Sequence, residues 1–101
     1  MKYINKSLFI EKAEVKDIAK KFNTPIYCYS YNQLKENINN FKKSFNSFSP
    51  LICFAVKSNT NVKLIREIKK LGLGADVVSM GELMVALNAG IKPNKIVFSG
   101  V

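Results

Sequence analysis

The sequence predicts an α/β chain of parallel βα units, a partial (β/α)8 barrel. Three observations predict it: a continuous apolar run at Leu51–Val56, helical apolar stripes that follow it, and strand starts recurring near residues 51, 75 and 95. A run such as Leu51-Ile-Cys-Phe-Ala-Val56 is the pattern of a parallel strand buried on both faces. Helices set between short apolar strands imply parallel pairing through right-handed crossovers. At 101 residues the chain falls short of the roughly 250 that a complete barrel needs. About three βα units are therefore expected, preceded by a short strand and a helix. The sequence stops at Val101, directly after the last expected strand, with no helix to cover it. Such a bare edge is a poor domain boundary, so a piece of a longer protein is expected.

The elements follow in order. Ser7-Leu8-Phe9-Ile10 is too short for a signal-peptide core, and no apolar run approaches the ~20 residues of a membrane span. A cytoplasmic protein without a membrane partner is expected. Val15, Ile18, Ala19 and Phe22 form a helical stripe over Ala13–Phe22,. Asn23-Thr24-Pro25 ends it, because the residue before proline is pushed out of the α region. Pro25–Tyr29 is rich in β formers and predicts a short strand. Ser30 caps a helix from Tyr31 to about Phe45, whose apolar residues Leu34, Ile38, Phe41 and Phe45 recur at helical intervals. Past the first parallel strand, Asn59-Thr60-Asn61 starts a helix striped by Val62, Ile65, Ile68 and Leu71 and ended by Gly72 or Gly74. Ala75–Ser79 is the second strand, Gly81–Ala89 a helix closed by Gly90, and Lys95–Ser99 the third strand.

Composition narrows the function. An apolar fraction of 48% with 23% charged residues is that of a folding globular chain. The net charge of +9 raises nucleic acid as a partner. However, Arg66 is the only arginine among the sixteen basic residues, whereas phosphate and base forks favour arginine. A solvated lysine surface is the better reading, and no nucleic-acid partner is expected. The chain has no histidine, which excludes a histidine-based metal site, triad or proton shuttle built from these residues; no metal is expected. Cys28 and Cys53 lie in apolar, strand-like runs and are expected as reduced core residues.

Two constellations could carry chemistry. Lys57, in Phe54-Ala-Val-Lys57-Ser-Asn59, stands where a buried strand gives way to its loop, the active-site end of a βα barrel. A lysine held among apolar neighbours loses its proton readily, and the neutral amine is what Schiff-base formation requires. Position alone favours an ordinary lysine that snorkels to water. Asp76 lies inside the second strand, where a carboxylate is unusual unless paired. Neighbouring strands would bring it towards Lys57. Glu82 reads as a first-turn acid favoured by the helix dipole. The pair Gly72 and Gly74 precedes a strand and lacks a third glycine, so it is no dinucleotide fingerprint.

Three ordered motifs, Ala55-Val-Lys57-Ser-Asn59, Gly74-Ala-Asp76-Val-Val-Ser79-x-Gly81-Glu82-Leu83 and Ala89-Gly90 with Lys95-Ile-Val-Phe-Ser-Gly100, closely resemble the start of the diaminopimelate decarboxylase family. That family is a branch of the barrel-type pyridoxal-phosphate decarboxylases, with the alanine-racemase-like fold. Thr24-Pro25-Ile-Tyr27 is similar to the family's lead-in. The resemblance implies that Lys57 holds pyridoxal 5'-phosphate, that Asp76 lies near that lysine and the cofactor, and that Ala55 lines the cofactor ring. It implies an amino-acid substrate, meso-diaminopimelate converted to L-lysine and CO2, and a homodimer in the full-length enzyme. It further implies that residues 1–30 are a lead-in packing on a separate β-domain and that 31–101 open the barrel domain. The rest of the site would lie beyond Val101, so this piece alone is expected to be inactive. Ser58 and Met80 depart from the family's usual residues without removing a reacting group. Ornithine, arginine and carboxynorspermidine decarboxylases, and a non-catalytic regulatory homologue, remain alternatives. Ser58-Asn-Thr-Asn61 departs from the racemase pattern.

Overall fold

The computed structural model describes residues 1–101. They divide into two compact units, Met1–Ser44 and Phe45–Val101.

The first unit opens with an antiparallel meander of β1 (Lys2–Ile4), β2 (Ser7–Ile10) and β3 (Ala13–Glu14). No strand was expected before residue 25. Ile4 pairs with Ser7 and Ile10 with Ala13, so each hairpin turns in two residues. Asn5 and Lys6, at φ 46° and 66°, adopt the left-handed geometry that suits the strand twist. Helix α1 (Val15–Phe22) starts two residues later than the stripe suggested, because Ala13 and Glu14 pair with β2. Asn23, at φ 63°, ends it, and Thr24–Pro25 follows as a cis peptide.

The strand expected at Pro25–Tyr29 does not form. The segment enters no ladder, and Tyr27 is 90% exposed. Residues of high β propensity make a strand only where a neighbour accepts their hydrogen bonds. Cys28 is accordingly exposed instead of in a core. Helix α2 (Tyr31–Lys43) begins as expected, with the Ser30 hydroxyl accepting the Gln33 N–H at 3.1 Å. Ile38 is its buried residue.

The second unit is a parallel sheet in the order β4 (Cys53–Ala55), β5 (Gly74–Val77), β6 (Ile96–Phe98), joined by α3 (Val62–Lys70) and α4 (Met80–Asn88). The strands are shorter than the apolar runs that announced them. Val56 leaves the first run for a single 3-10 turn, Val56–Ser58, and Lys95 belongs to another, Pro93–Lys95. The core holds Val56, Ile65, Ala75, Val77, Ala86, Ala89 and Ile91. Truncating a fully buried isoleucine such as Ile65 to alanine costs about 2–5 kcal/mol.

Both helices stop by the same device. After α3, the Leu73 N–H reaches the Ile68 carbonyl and the Gly72 N–H the Lys69 carbonyl; after α4, Ile91 reaches Ala86 and Gly90 reaches Leu87. These are paired Schellman closures, with Gly72 and Gly90 in the left-handed region at φ 85° and 86°,. Gly72 is thus the helix stop. Gly74 has another task, letting β5 lie against β6.

Candidate functional site

Side chains of a strand alternate between faces, and the register sorts them here. Ala55 sits opposite Asp76, and Asp76 opposite Val97. On the neighbouring rows, Phe54, Ala75 and Ile96 are partners, and all pack in the helix-covered core with Val77. Cys53, Ala55, Asp76, Val97 and Ser99 therefore share the opposite face, which no helix of this unit covers. That explains how a carboxylate can lie inside a strand. Asp76 is half-buried and points away from the core.

At the carboxyl ends of the strands this face gathers its polar groups. The Ser99 hydroxyl donates to Asp76 Oδ1 at 2.6 Å. The Ser99 N–H donates to the Val77 carbonyl at 2.9 Å, carrying the β5–β6 ladder one step beyond the strand. Burial, and after it the Asp76 charge, raise the Cys53 thiol pKa above its ordinary value,. Cys53 is half-buried, as a core reading required only in part.

Lys57 lies on the 3-10 turn directly after β4. The Ser58 hydroxyl donates to the Ala55 carbonyl at 2.7 Å and the Asn59 N–H to the Val56 carbonyl at 3.0 Å, closing the turn. Asn61 then caps α3 by accepting the Lys63 and Leu64 N–H groups. With buried Val56 on one side and this cap on the other, the backbone carrying Lys57 is held from both ends. The lysine itself is exposed, since the turn lifts it off the strand end. The apolar surroundings expected around its amine are not supplied by these residues. No ion pair joins Lys57 to Asp76.

Ser79 and Glu82 have local work. The Ser79 hydroxyl accepts the Glu82 N–H at 3.2 Å, and the Glu82 carboxylate accepts the Val78 N–H at 2.9 Å. This is a reciprocal cap of α4, reaching one residue further back than usual. Ser99 is the residue of this face that sequence reasoning passed over, as a mere strand end. Its signal was a serine two positions after Val97, a diagonal neighbour of Asp76 once the register is known.

Residues 31–101 match the pyridoxal binding domain of the pyridoxal-dependent decarboxylases. Across all 101 residues the chain is 46% identical to a diaminopimelate decarboxylase of Aquifex aeolicus (strain VF5), of which it covers 24%. A solved diaminopimelate decarboxylase from M. jannaschii superposes with a TM-score of 0.93 at 35% identity, over 98% of this chain and 24% of that one. The enzyme of Helicobacter pylori, complexed with L-lysine, does so with a TM-score of 0.78 at 42% identity, over 85% of this chain and 22% of that one. The chain spans about a quarter of the length of the relatives it matches.

Proposed function

We propose that this chain, which belongs to the pyridoxal-dependent decarboxylase family, is the amino-terminal portion of a diaminopimelate decarboxylase, the enzyme that releases CO2 from meso-diaminopimelate to leave L-lysine. The observation that carries the reading is the register that sets Ala55 beside Asp76, two residues before Lys57. In this reading β4, β5 and β6 are the first three strands of a (β/α)8 barrel, and the face bearing Asp76 is the barrel interior. Residues 1–30 are the lead-in that packs on a separate β-domain, and 31–101 open the barrel domain.

The residues present fit pyridoxal 5'-phosphate. Lys57 offers an exposed amine engaged in no ion pair, at the strand ends where barrel chemistry takes place. It is the residue that carries the cofactor. Ala55 adds only a methyl group to the adjoining face, which leaves room for a planar ring. Asp76 presents a carboxylate held on Oδ1, with Oδ2 open to a cationic group of the cofactor or substrate. When bound, the cofactor supplies an electron sink for the pair left by departing CO2. The complete enzyme is a cytoplasmic homodimer, and the 101-residue piece does not turn over substrate alone.

Borohydride reduction of the complete protein loaded with pyridoxal phosphate, followed by peptide mapping, tests the assignment. The label is expected on Lys57 and is lost in Lys57→Ala. A label on another lysine overturns the site. Turnover of ornithine, arginine or carboxynorspermidine in preference to meso-diaminopimelate overturns the substrate, and no turnover of any of the four favours the regulatory homologue.

A further inference from the structure

Resting on the reading of Asp76 just given, we infer that Ser99 is a positioning residue for the reaction: its hydroxyl holds the Asp76 carboxylate in place at the strand ends. The contact of 2.6 Å lies in the range of charge-assisted O–H···O⁻ bonds, about 2.5–2.7 Å, the stronger class of hydrogen bond. A serine hydroxyl has one proton to donate, and here it goes to Oδ1.

The donor is itself anchored. The Ser99 N–H is bonded to the Val77 carbonyl at 2.9 Å. At the next residue, Gly100, a Cβ would come within 2.6 Å of the Val78 carbonyl oxygen and 2.7 Å of the Phe98 ring. The chain after β6 therefore runs tight against the end of β5, which fixes the backbone position from which the hydroxyl reaches Asp76. No basic side chain is paired with this carboxylate. On a sheet face without a covering helix, an otherwise unpaired carboxylate would rotate among rotamers. With Oδ1 pinned, Oδ2 is presented in one direction as the free acceptor.

A purely structural tie between β5 and β6 would use the same bond, so the test must separate the two. Ser99→Thr and Ser99→Val have the same shape, and only threonine keeps the donor; Ser99→Ala serves if valine does not fold. In the complete protein, the readouts are pyridoxal phosphate affinity of the apoprotein by absorbance titration, the absorption band of the bound cofactor, and kcat against KM. A lost hydrogen bond to a charged group corresponds to a fall of about 10- to 100-fold. Valine is expected to lower kcat by that factor with KM within about twofold, and to shift the cofactor band, while threonine retains most of both.

Valine with wild-type kcat and band overturns the inference. So does equal loss in valine and threonine accompanied by a lowered melting temperature, the mark of a structural tie. Asp76→Asn keeps the two claims distinct. If it leaves cofactor affinity and kcat intact, the reading of Asp76 falls and Ser99 with it. If it damages both while Ser99→Val is harmless, only the role of Ser99 falls.

Discussion

Replacing Gly74 with alanine should force apart the strands that carry Asp76 and Ser99. A Cβ at this position would overlap the Lys95 carbonyl oxygen and lie 2.9 Å from Cys53 Sγ. Even close C–H···O contacts sit at about 3.3–3.6 Å, so β5 must move by roughly 1 Å against backbone that has no rotamer to change. A shift of that size takes ladder bonds such as Ser99 N–H to Val77 carbonyl, 2.9 Å, beyond the ~3.2 Å limit of good geometry. Overpacking costs about 1–3 kcal/mol, and each weakened bond adds about 0.5–1.5 kcal/mol. With Ala75–Ile96, Asp76–Val97 and Val77–Phe98 all tying β5 to β6, the expected loss is about 2.5–7.5 kcal/mol. The matched control is Gly81→Ala in α4, where a Cβ would meet only Ser79 Oγ at 3.9 Å. Alanine there should stabilise by up to about 1 kcal/mol through helix propensity. Urea unfolding of the complete protein, followed by circular dichroism, measures both. Gly74→Ala within 1 kcal/mol of wild type, or Gly81→Ala as costly as Gly74→Ala, would refute the argument from close strand approach.

Other expectations concern single groups. Glu11, at φ 55°, accepts the Ser30 hydroxyl, the Asn32 N–H and Asn32 Nδ2 at 2.7, 2.8 and 3.1 Å. The Asn32 N–H first, and the Ser30 hydroxyl next, hold its carboxyl below the usual glutamate range. A depressed folded value means that the lock is fully present above the unfolded value of about 4.3 and is lost as pH falls through the folded one. The Asn32 amide resonance should follow that titration and become insensitive to it in Glu11→Gln; an amide indifferent to pH between 2 and 5 in the wild type refutes the lock. Asp76→Asn removes the lesser of the two influences raising the Cys53 thiol, so its alkylation at pH 8 should speed up a few-fold. An unchanged rate would place the charge elsewhere.

Much of the second unit was legible because its signals are local. Asn61 and Ser79 cap, Gly72 and Gly90 stop, and Ile65 and Ile68 repeat at helical spacing, each acting within one turn of chain. The short strands were located for the same reason, since continuous apolar runs and turn residues frame them. The first unit was read less well. The Asn5-Lys6 turn carries no Asn-Gly signature, so the meander passed unseen. Pro25–Tyr29 has the composition of a strand, and composition says nothing about whether a partner is present.

The site divides along the same line. By itself the sequence determined that Lys57 follows a buried strand, that Asp76 interrupts the next one, and which family they resemble. Only the tertiary structure decided that Lys57 stands exposed on a turn, that Asp76 and Ala55 face away from the helices, and that Ser99 holds the carboxylate. Residues 76 and 99 are 23 positions apart, and nothing in either neighbourhood encodes their meeting. Strand register does, because a shift of one residue would turn Asp76 into the core and Ser99 away from it.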